Sequence, residues 1–140
     1  MKITVRYACP DDLEILVKAD RHVPREKMEK LVSDGFVLVA EHGKNFAGWL
    51  RYGLFWDEIP FMNMLSVLEE YRGNGAGTAL VREWERLAAE NGHDTVMTST
   101  QANETSQHFY RKLGYRDMGG FTPFGEEYEI IMGKQTERCV

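Results

Sequence analysis

A glycine-rich segment between a predicted strand and a predicted helix is the first candidate for chemistry in this sequence. The segment RGNGAG covers residues 72–77 and precedes a stretch in which apolar residues recur with helical spacing. The unpaired amides at a helix N-terminus, together with the helix dipole, favour the oxygens of a phosphate group. Gly73, Gly75 and Gly77 would let the backbone approach such a ligand closely. The segment is a candidate anion-binding turn, and the alternative is a turn that only connects a strand with a helix.

Two nucleotide-binding motifs with similar glycines fit the sequence poorly. A Walker A loop needs Lys before its Ser or Thr, whereas Gly77 is followed directly by Thr78. A Rossmann fingerprint has the spacing GxGxxG in the first βαβ unit, whereas this run is GxGxG, lies mid-chain and follows a predicted hairpin. Asp94 lies at a suitable distance for ribose recognition, but it begins a predicted strand instead of ending one. Both classes of nucleotide-binding protein are therefore disfavoured.

Two segments resemble the signatures of the GNAT superfamily of N-acetyltransferases. The first signature is Arg or Gln, two residues, Gly, one residue, then Gly or Ala, and LSVLEEYRGNGAGTAL carries it at Arg72, Gly75 and Gly77. The second lies downstream in NETSQHFYRKLGY, where the matching residues are Asn103, Ser106, Phe109, Tyr110, Leu113, Gly114 and Tyr115. The resemblance covers residues 65–115. It implies a GNAT-like acyl-CoA N-acyltransferase fold and acetyl-CoA as the cofactor.

The resemblance also implies where the cofactor lies. Amides of residues 72–78 would hold the pyrophosphate, and the backbone of residues 65–67 would pair with the pantetheine like an added strand, in a splay between the fourth and fifth strands. Asn103 would contact the pantetheine, and it is also predicted to cap its own helix. Arg111 and Lys112 could reach the adenosine phosphates, with solvated helix charges as the alternative. The predicted cofactor-binding residues are Leu65, Ser66, Val67, Arg72, Gly73, Asn74, Gly75, Ala76, Gly77, Thr78, Asn103, Ser106 and Tyr110.

Acetyl transfer to an amine needs a neutral amine, a stabilised oxyanion and a proton for the departing thiolate. By the resemblance, Tyr110 is the general acid, and a phenol of pKa about 10 suits a thiolate whose conjugate acid has a pKa of about 8.5. The alternative for Tyr110 is a core tyrosine with a hydrogen-bonded hydroxyl. A backbone amide near residues 65–67 would meet the oxyanion where the strand bulges. Neither Cys9 nor Cys139 lies in a motif, which predicts direct attack in a ternary complex, with CoA as the product.

The general base is left open. Some family members carry a carboxylate early in the fourth strand, but Phe61, Met62 and Asn63 offer none there. Two acids at the end of the preceding strand, acting through water, or a histidine elsewhere could take this role. For each of them the alternative is an ordinary loop, structural or surface role. These candidates are Asp57, Glu58, His22 and His108.

The elements that must position these residues follow the order βααβββαβαββ. Alternating β-branched residues indicate strands, and apolar residues at helical spacing between glycine, proline and asparagine stops indicate helices. The order predicts an α/β (α+β mixed sheet) single domain over residues 1–134 and a flexible C-terminal tail over residues 135–140. The predicted strands are 3–7, 36–40, 46–54, 61–68, 95–100, 115–121 and 127–133, and the predicted helices are 10–20, 24–34, 78–91 and 103–113.

Length and composition agree with one ordinary globular domain. Of 140 residues, 43% are hydrophobic and 28% charged, which is too apolar for intrinsic disorder. The formal net charge of -5 argues against a nucleic-acid partner. The N-terminus reaches charged residues before any signal-peptide-like apolar run, and no stretch approaches a membrane span. The two cysteines show neither zinc nor disulfide spacing. We therefore expect a cytoplasmic protein with no metal and no membrane or nucleic-acid partner.

Three function classes compete for this sequence. The first is an enzyme that acetylates a primary amine, which could belong to a small amine, an amino acid, an antibiotic or a protein. The second is a non-catalytic acyl-CoA-binding or sensing module, and the third is a structural or interaction domain with a vestigial pocket. An intact Tyr110 and a complete RGNGAG segment favour the enzyme.

Aromatic and acidic residues near the expected acceptor cleft point to a cationic or partly apolar amine. The alternative is a hydrophobic seam beside exposed acids. The resemblance also allows a homodimer. The aromatic and acidic residues near the expected acceptor cleft are Phe55, Trp56, Phe121, Phe124, Glu126 and Glu127.

Overall fold

Seven strands form one mixed sheet in the computed structural model, which describes residues 2–137. Across the sheet the strands lie in the order β1-β2-β3-β4-β5-β7-β6. The pair β4/β5 is parallel, and the pairs β1/β2, β2/β3, β5/β7 and β6/β7 are antiparallel. The predicted antiparallel pairing of the second and third strands is confirmed. The strands are β1 (Ile3–Tyr7), β2 (Val37–His42), β3 (Asn45–Phe55), β4 (Ile59–Val67), β5 (Thr95–Gln101), β6 (Arg116–Phe121) and β7 (Glu129–Gln135).

Among the described residues, four α-helices complete the predicted order βααβββαβαββ. This order is confirmed, as is the mixed α/β fold of a single domain. Short 3-10 turns at Pro10–Asp12 and Glu69–Tyr71 precede the first and third helices. Within residues 2–137, no helix combines the length and the apolar composition that crossing a membrane requires. The helices are α1 (Leu13–Ala19), α2 (Arg25–Ser33), α3 (Ala76–Glu90) and α4 (Ser106–Lys112).

The first helical segment begins at proline, as predicted, but its first turn is 3-10 and not α. Pro10 suits this position because its missing N–H would have no partner there. The carboxylate of Asp12 accepts the Cys9 N–H at 2.8 Å and is bound by the two terminal guanidinium nitrogens of Arg6, at 2.7 and 2.9 Å. This ion pair fastens the start of the helical segment to β1.

Backbone contacts divide the chain into two compact units, and the first comprises the residues up to 52 together with 64–83. Its core consists of side chains from α1 and α2 packed on inward-facing residues of β2 and β3. The alternation along β2 and the helical spacing in α2 both direct apolar residues to this core. The core residues are Ala8, Leu16, Met28, Val32, Val37, Val39 and Trp49.

A buried carboxylate lies at the end of α1 in this first unit. Asp20 is 1% exposed and accepts hydrogen bonds from Trp49 Nε1 at 3.1 Å and from Arg51 Nε at 2.8 Å. The backbone N–H of His22 also donates to it, at 3.2 Å. Because a buried charge is costly without partners, these donors are what allow Asp20 to remain ionised inside the unit.

The second unit comprises residues 53–63 and the residues from 84 onward. Here β5, β7 and β6 pair side by side, and α4 packs against β5. A buried polar network joins α3 to this sheet, since Glu85 accepts hydrogen bonds from the Tyr115 hydroxyl at 2.8 Å and from Lys134 Nζ at 3.0 Å.

The predicted C-terminal tail overlaps the last strand. β7 includes Gln135, and Thr136 donates its N–H to Asp94 O at 3.0 Å and its hydroxyl to His93 O at 2.6 Å. Residues 138–140 of that tail, with Cys139, lie outside the described residues. Flexibility of the tail stays a prediction.

Candidate functional site

The glycine-rich turn leads from β4 into α3 through two residues with left-handed backbone. Gly73 has φ +82° and Gly75 has φ +80°, conformations that L side chains rarely adopt. A Cβ at either position would meet no atom within 4 Å. Among the described residues, the need for glycine at these positions therefore comes from the backbone angle and not from crowding.

The first turn of α3 offers backbone donors beside these glycines. Gly75 O accepts the Ala79 N–H at 2.9 Å, which makes Gly75 the N-cap and leaves the amides of Ala76, Gly77 and Thr78 without partners inside the helix. Since Gly75 has no side chain, no capping group competes for these amides. The N-terminus of a 15-residue helix also carries the positive end of the helix dipole. The arrangement can bind an anion.

Two side chains of the turn hold its backbone. Asn74 Nδ2 donates to Tyr71 O at 3.1 Å and to Arg72 O at 3.4 Å. Arg72 Nε donates to Val67 O at 3.1 Å, which fastens the turn to the end of β4. Both predicted binding residues therefore have a structural role within their own unit.

Sequence reasoning missed a glycine beside the end of β4. A Cβ added to Gly48 of β3 would lie 2.5 Å from Ser66 O and 3.1 Å from Val67 Cα, both of them backbone atoms of β4. Just beyond the strand, the Leu68 N–H donates to Ala47 O at 2.8 Å. A glycine in a strand interior often marks such a close backbone approach, and this was the signal available in the sequence. Gly48 therefore sets the position of the segment predicted to pair with pantetheine.

The parallel ladder of β4 and β5 is short. Within the described residues its register comprises Phe61↔Met97 and Met62↔Thr98, although β4 continues to Val67 and β5 to Gln101. In addition, Thr98 Oγ1 donates to Met62 O at 3.0 Å. The predicted splay of the two strands stays a prediction.

Tyr110 lies on α4 and is 7% exposed. Burial raises the pKa of its phenol, the Thr98 side chain opposes this change, and the charge of Glu104 adds to it. The net effect is a pKa above the ordinary value of 10. The ring makes edge contacts with Phe109 and Tyr115, whose centroids lie 5.4 and 5.8 Å away. The phenol therefore stays protonated at neutral pH.

The start of α4 differs from the prediction for Asn103. The N-cap of this helix is Thr105, so the prediction that Asn103 caps it is wrong. The reason is a separate turn after β5, in which the Glu104 N–H donates to Gln101 O at 3.0 Å and delays the helix. Asn103 is exposed in that turn, while Ser106 shares a 2.7 Å hydrogen bond with Thr100. The side chain of Asn103 is therefore not used as a cap.

The candidate bases lie on exposed positions. Asp57 and Glu58 occupy the turn between β3 and β4, and His108 lies in the first turn of α4. The His22 side chain is 72% exposed, with Nδ1 3.5 Å from the buried Asp20 carboxylate. Of the two helix cations weighed for phosphate binding, Arg111 forms a 2.7 Å ion pair with Asp117. This pairing favours the surface role of Arg111.

Comparison with protein families identifies the group to which this arrangement belongs. A family model described as the acetyltransferase (GNAT) family matches residues 7–115, which is more than half of the chain and includes both predicted signatures. The chain belongs to the GNAT acetyltransferase family. The predicted family and fold are confirmed, and the predicted roles of individual site residues stay predictions.

Solved structures resemble this GNAT chain over nearly all of its length. An acetyltransferase of the GNAT family from Bacillus cereus ATCC 10987 is 19% identical, with a TM-score of 0.79, over 99% of this chain and 100% of that one. The ribosomal-protein-S18-alanine N-acetyltransferase from Escherichia coli is 16% identical, with a TM-score of 0.79, over 99% of this chain and 97% of that one. These likenesses show the fold.

A third structure is the N-acetylglutamate synthase from Neisseria gonorrhoeae, solved in complex with coenzyme A and N-acetyl-glutamate. It is 16% identical, with a TM-score of 0.80, and the likeness covers 99% of the GNAT chain and 36% of the synthase. Comparison with curated proteins gives no match.

Proposed function

We propose that this GNAT protein transfers the acetyl group of acetyl-CoA to a primary amine by direct attack in a ternary complex. The observation that carries the proposal is Tyr110, a buried phenol with a raised pKa at the position of the family's general acid. An acid for a thiolate must stay protonated at neutral pH, and a buried phenol meets this condition.

The cofactor half of the proposal is supported by the turn before α3. Left-handed Gly73 and Gly75 lead into helix amides that have no intrahelical acceptor, and a pyrophosphate would satisfy those amides. The amides concerned belong to Ala76, Gly77 and Thr78. Acetyl-CoA would supply the acetyl group as an activated thioester. The backbone at the end of β4, positioned by Gly48, would align it and stabilise the developing oxyanion.

One proton transfer of the reaction, the protonation of the departing thiolate, is assigned to the protein. The amine nitrogen forms a bond with the carbonyl carbon, the carbon–sulfur bond breaks, and the Tyr110 hydroxyl gives its proton to the departing thiolate. The phenolate then regains a proton from water. The proton lost by the amine goes to water, directly or through an exposed carboxylate such as Asp57 or Glu58.

The acceptor is proposed only as a class. Two structural relatives are named for different amines, a ribosomal-protein alanine and glutamate, so a primary amine is the chemistry they share. The rival function is an acyl-CoA-binding module without turnover. The hydroxyl of Tyr110 favours the enzyme, because binding alone would not require an acid there.

Titration calorimetry with acetyl-CoA and with CoA tests the cofactor half. Gly75→Glu would place a carboxylate at the anion site, and we expect it to abolish binding. Gly92→Glu is the matched control, because Gly92 has φ +89° and equally open surroundings but lies beyond the opposite end of α3. Both substitutions place a side chain at a glycine with positive φ, so their backbone strain is similar. A loss of binding in Gly75→Glu alone would therefore come from the carboxylate at the anion site. Equal binding by both variants, or no binding by the folded wild-type protein, would contradict the proposal.

Thiol release in the presence of a panel of amines tests the catalytic half. Release that depends on both acetyl-CoA and an amine supports the transferase. Tight binding with no release across small amines, amino acids and peptide N-termini would favour the binding module instead.

A further inference from the structure

The turn between β3 and β4 has a backbone conformation that its residues do not favour. Trp56 has φ +56° and Asp57 has φ +60°, and the Glu58 N–H donates to Phe55 O at 3.1 Å. Positive φ at both central positions is the property of hairpin turns that normally contain Asn-Gly. Aspartate tolerates this region, whereas a bulky residue such as tryptophan does so rarely. Trp56 therefore has a backbone conformation that tryptophan rarely adopts.

The Trp56 side chain gains little from the fold in return. It is 75% exposed, whereas Trp49 is 4% and Trp84 1% exposed. Its ring contacts Phe55, with centroids 4.9 Å apart, and Phe55 in turn stacks on Phe61 at 6.0 Å. These ring contacts leave most of the Trp56 surface open to solvent. Strain at an exposed aromatic is evidence for a role in recognition.

The charge around Trp56 selects a cationic partner. Asp57 and Glu58 are both exposed and form no ion pair with a described residue. The sequence has no Lys or Arg between Arg51 and Arg72. An aromatic face beside unpaired carboxylates attracts guanidinium and ammonium groups.

The exposure of the Trp56 ring favours a polypeptide over a small molecule as the ligand of this turn. Small ligands bind where most of their own surface can be buried, which requires a concave site. A ring that is 75% exposed at a hairpin tip cannot enclose a small cation. An extended chain can cover the ring and carry several cations past the acids.

We infer that the turn Phe55–Glu58 docks a basic polypeptide segment of a partner protein, with Trp56 as the aromatic contact and Asp57 and Glu58 as its charged neighbours. The docking requires neither acetyl-CoA nor an acceptor amine.

Calorimetry with a short peptide of alternating arginine and glycine, acetylated at its N-terminus and amidated at its C-terminus, tests this inference without acetyl-CoA. The blocked peptide is no acceptor for acetylation, so its binding is separate from the proposed function. We expect saturable binding that alters the fluorescence of the exposed tryptophan. A peptide with glutamate in place of arginine should not bind.

Trp56→Asn is the decisive variant, because asparagine tolerates positive φ. We expect its melting temperature to rise while its affinity for the arginine peptide falls about tenfold or more. Asp57→Asn keeps the turn geometry and should weaken binding through lost charge alone. The matched control is Ile15→Gln on α1, which removes another exposed apolar side chain, 41% exposed, and should leave binding unchanged.

Three results would overturn the inference. One is unchanged affinity in folded Trp56→Asn and Asp57→Asn. Another is a failure to distinguish the arginine peptide from the glutamate peptide, either because both bind equally or because neither binds saturably. The third is an affinity for free arginine amide that matches the affinity for the peptide, since this would indicate a small-cation site.

Discussion

The Tyr110 phenol is in its acid form at neutral pH, as an ordinary phenol would be, and burial extends the pH range of that form. Desolvation disfavours the phenolate and so raises the pKa of Tyr110, and the Thr98 side chain offsets only part of that change. The acid form is therefore present throughout the neutral range and is lost only at a pH above 10. A thiolate formed nearby is a stronger acceptor of the proton than bulk water at neutral pH.

Tyr110→Phe should lower kcat by about 10²–10⁴-fold, with acetyl-CoA affinity little changed, because only the proton donor is removed. Tyr115→Phe is the matched control. Tyr115 is also a buried tyrosine of the same unit, and its hydroxyl donates to Glu85 at 2.8 Å. We expect the control to lose about 1 kcal/mol of stability and to keep its kcat. Steady-state rates and calorimetry on both variants measure this, and equal losses of kcat would remove Tyr110 from the role of acid.

At the scale of elements, the close approach of β3 to β4 depends on one missing side chain. Gly48→Ala would bring a Cβ to 2.5 Å from Ser66 O, which is closer than real Cβ contacts. One strand backbone would therefore have to shift, at a cost to the packing of the two strands. Gly53→Ala on the same strand is the matched control, since its Cβ would meet only the Asn63 side-chain amide, at 3.3 Å.

We therefore expect Gly48→Ala to lower stability by about 1–3 kcal/mol and to weaken acetyl-CoA binding, whereas Gly53→Ala should change both much less. Urea unfolding and titration calorimetry provide the two readouts. If the Gly48→Ala protein binds acetyl-CoA like the Gly53→Ala protein, the end of β4 does not position the cofactor.

Local patterns were sufficient to predict the elements of this fold but not all of their contacts. The strand predicted over residues 61–68 begins two residues earlier, at Ile59, directly after the short turn that joins it to β3, its neighbour in the sheet. Asn103 has the composition of a helix cap, yet the turn at Gln101–Glu104 displaces the helix start to Thr105. The close contact between Gly48 and Ser66 was not predicted because the two residues lie in different strands. The sequence alone does not give the distance between two strands.

At the scale of the whole molecule, the least predictable features are long-range. In the order β5-β7-β6 the last strand of the chain, β7, lies between β5 and β6. The order of the strands along the sequence does not specify this position. Asp20 receives its donors from Trp49 and Arg51, about thirty residues away in the chain. In the sequence it reads as an ordinary polar residue at the end of a helix.

The Asp20 network also makes stability depend on pH. Burial acts to raise the pKa of the Asp20 carboxyl, but the hydrogen bonds and charge of Arg51, together with Trp49 and the His22 N–H, lower it overall. A folded-state pKa below the unfolded value means that the folded state binds fewer protons in this range. The stabilisation is therefore complete above a pH of about 4 and is lost as the pH falls further.

Asp20→Asn should cost about 3–5 kcal/mol at neutral pH, because it leaves the Arg51 guanidinium, whose side chain is 10% exposed, without its counter-charge. Asp34→Asn is the control, since Asp34 pairs with Lys30 at 3.0 Å on the surface and such a pair is worth about 0.3–0.5 kcal/mol. Urea unfolding at neutral pH and at about pH 3 should show the difference between wild type and Asp20→Asn shrinking in acid. A difference that is the same at both pH values would mean that packing of the side chain, and not its charge, is what this position contributes to the fold.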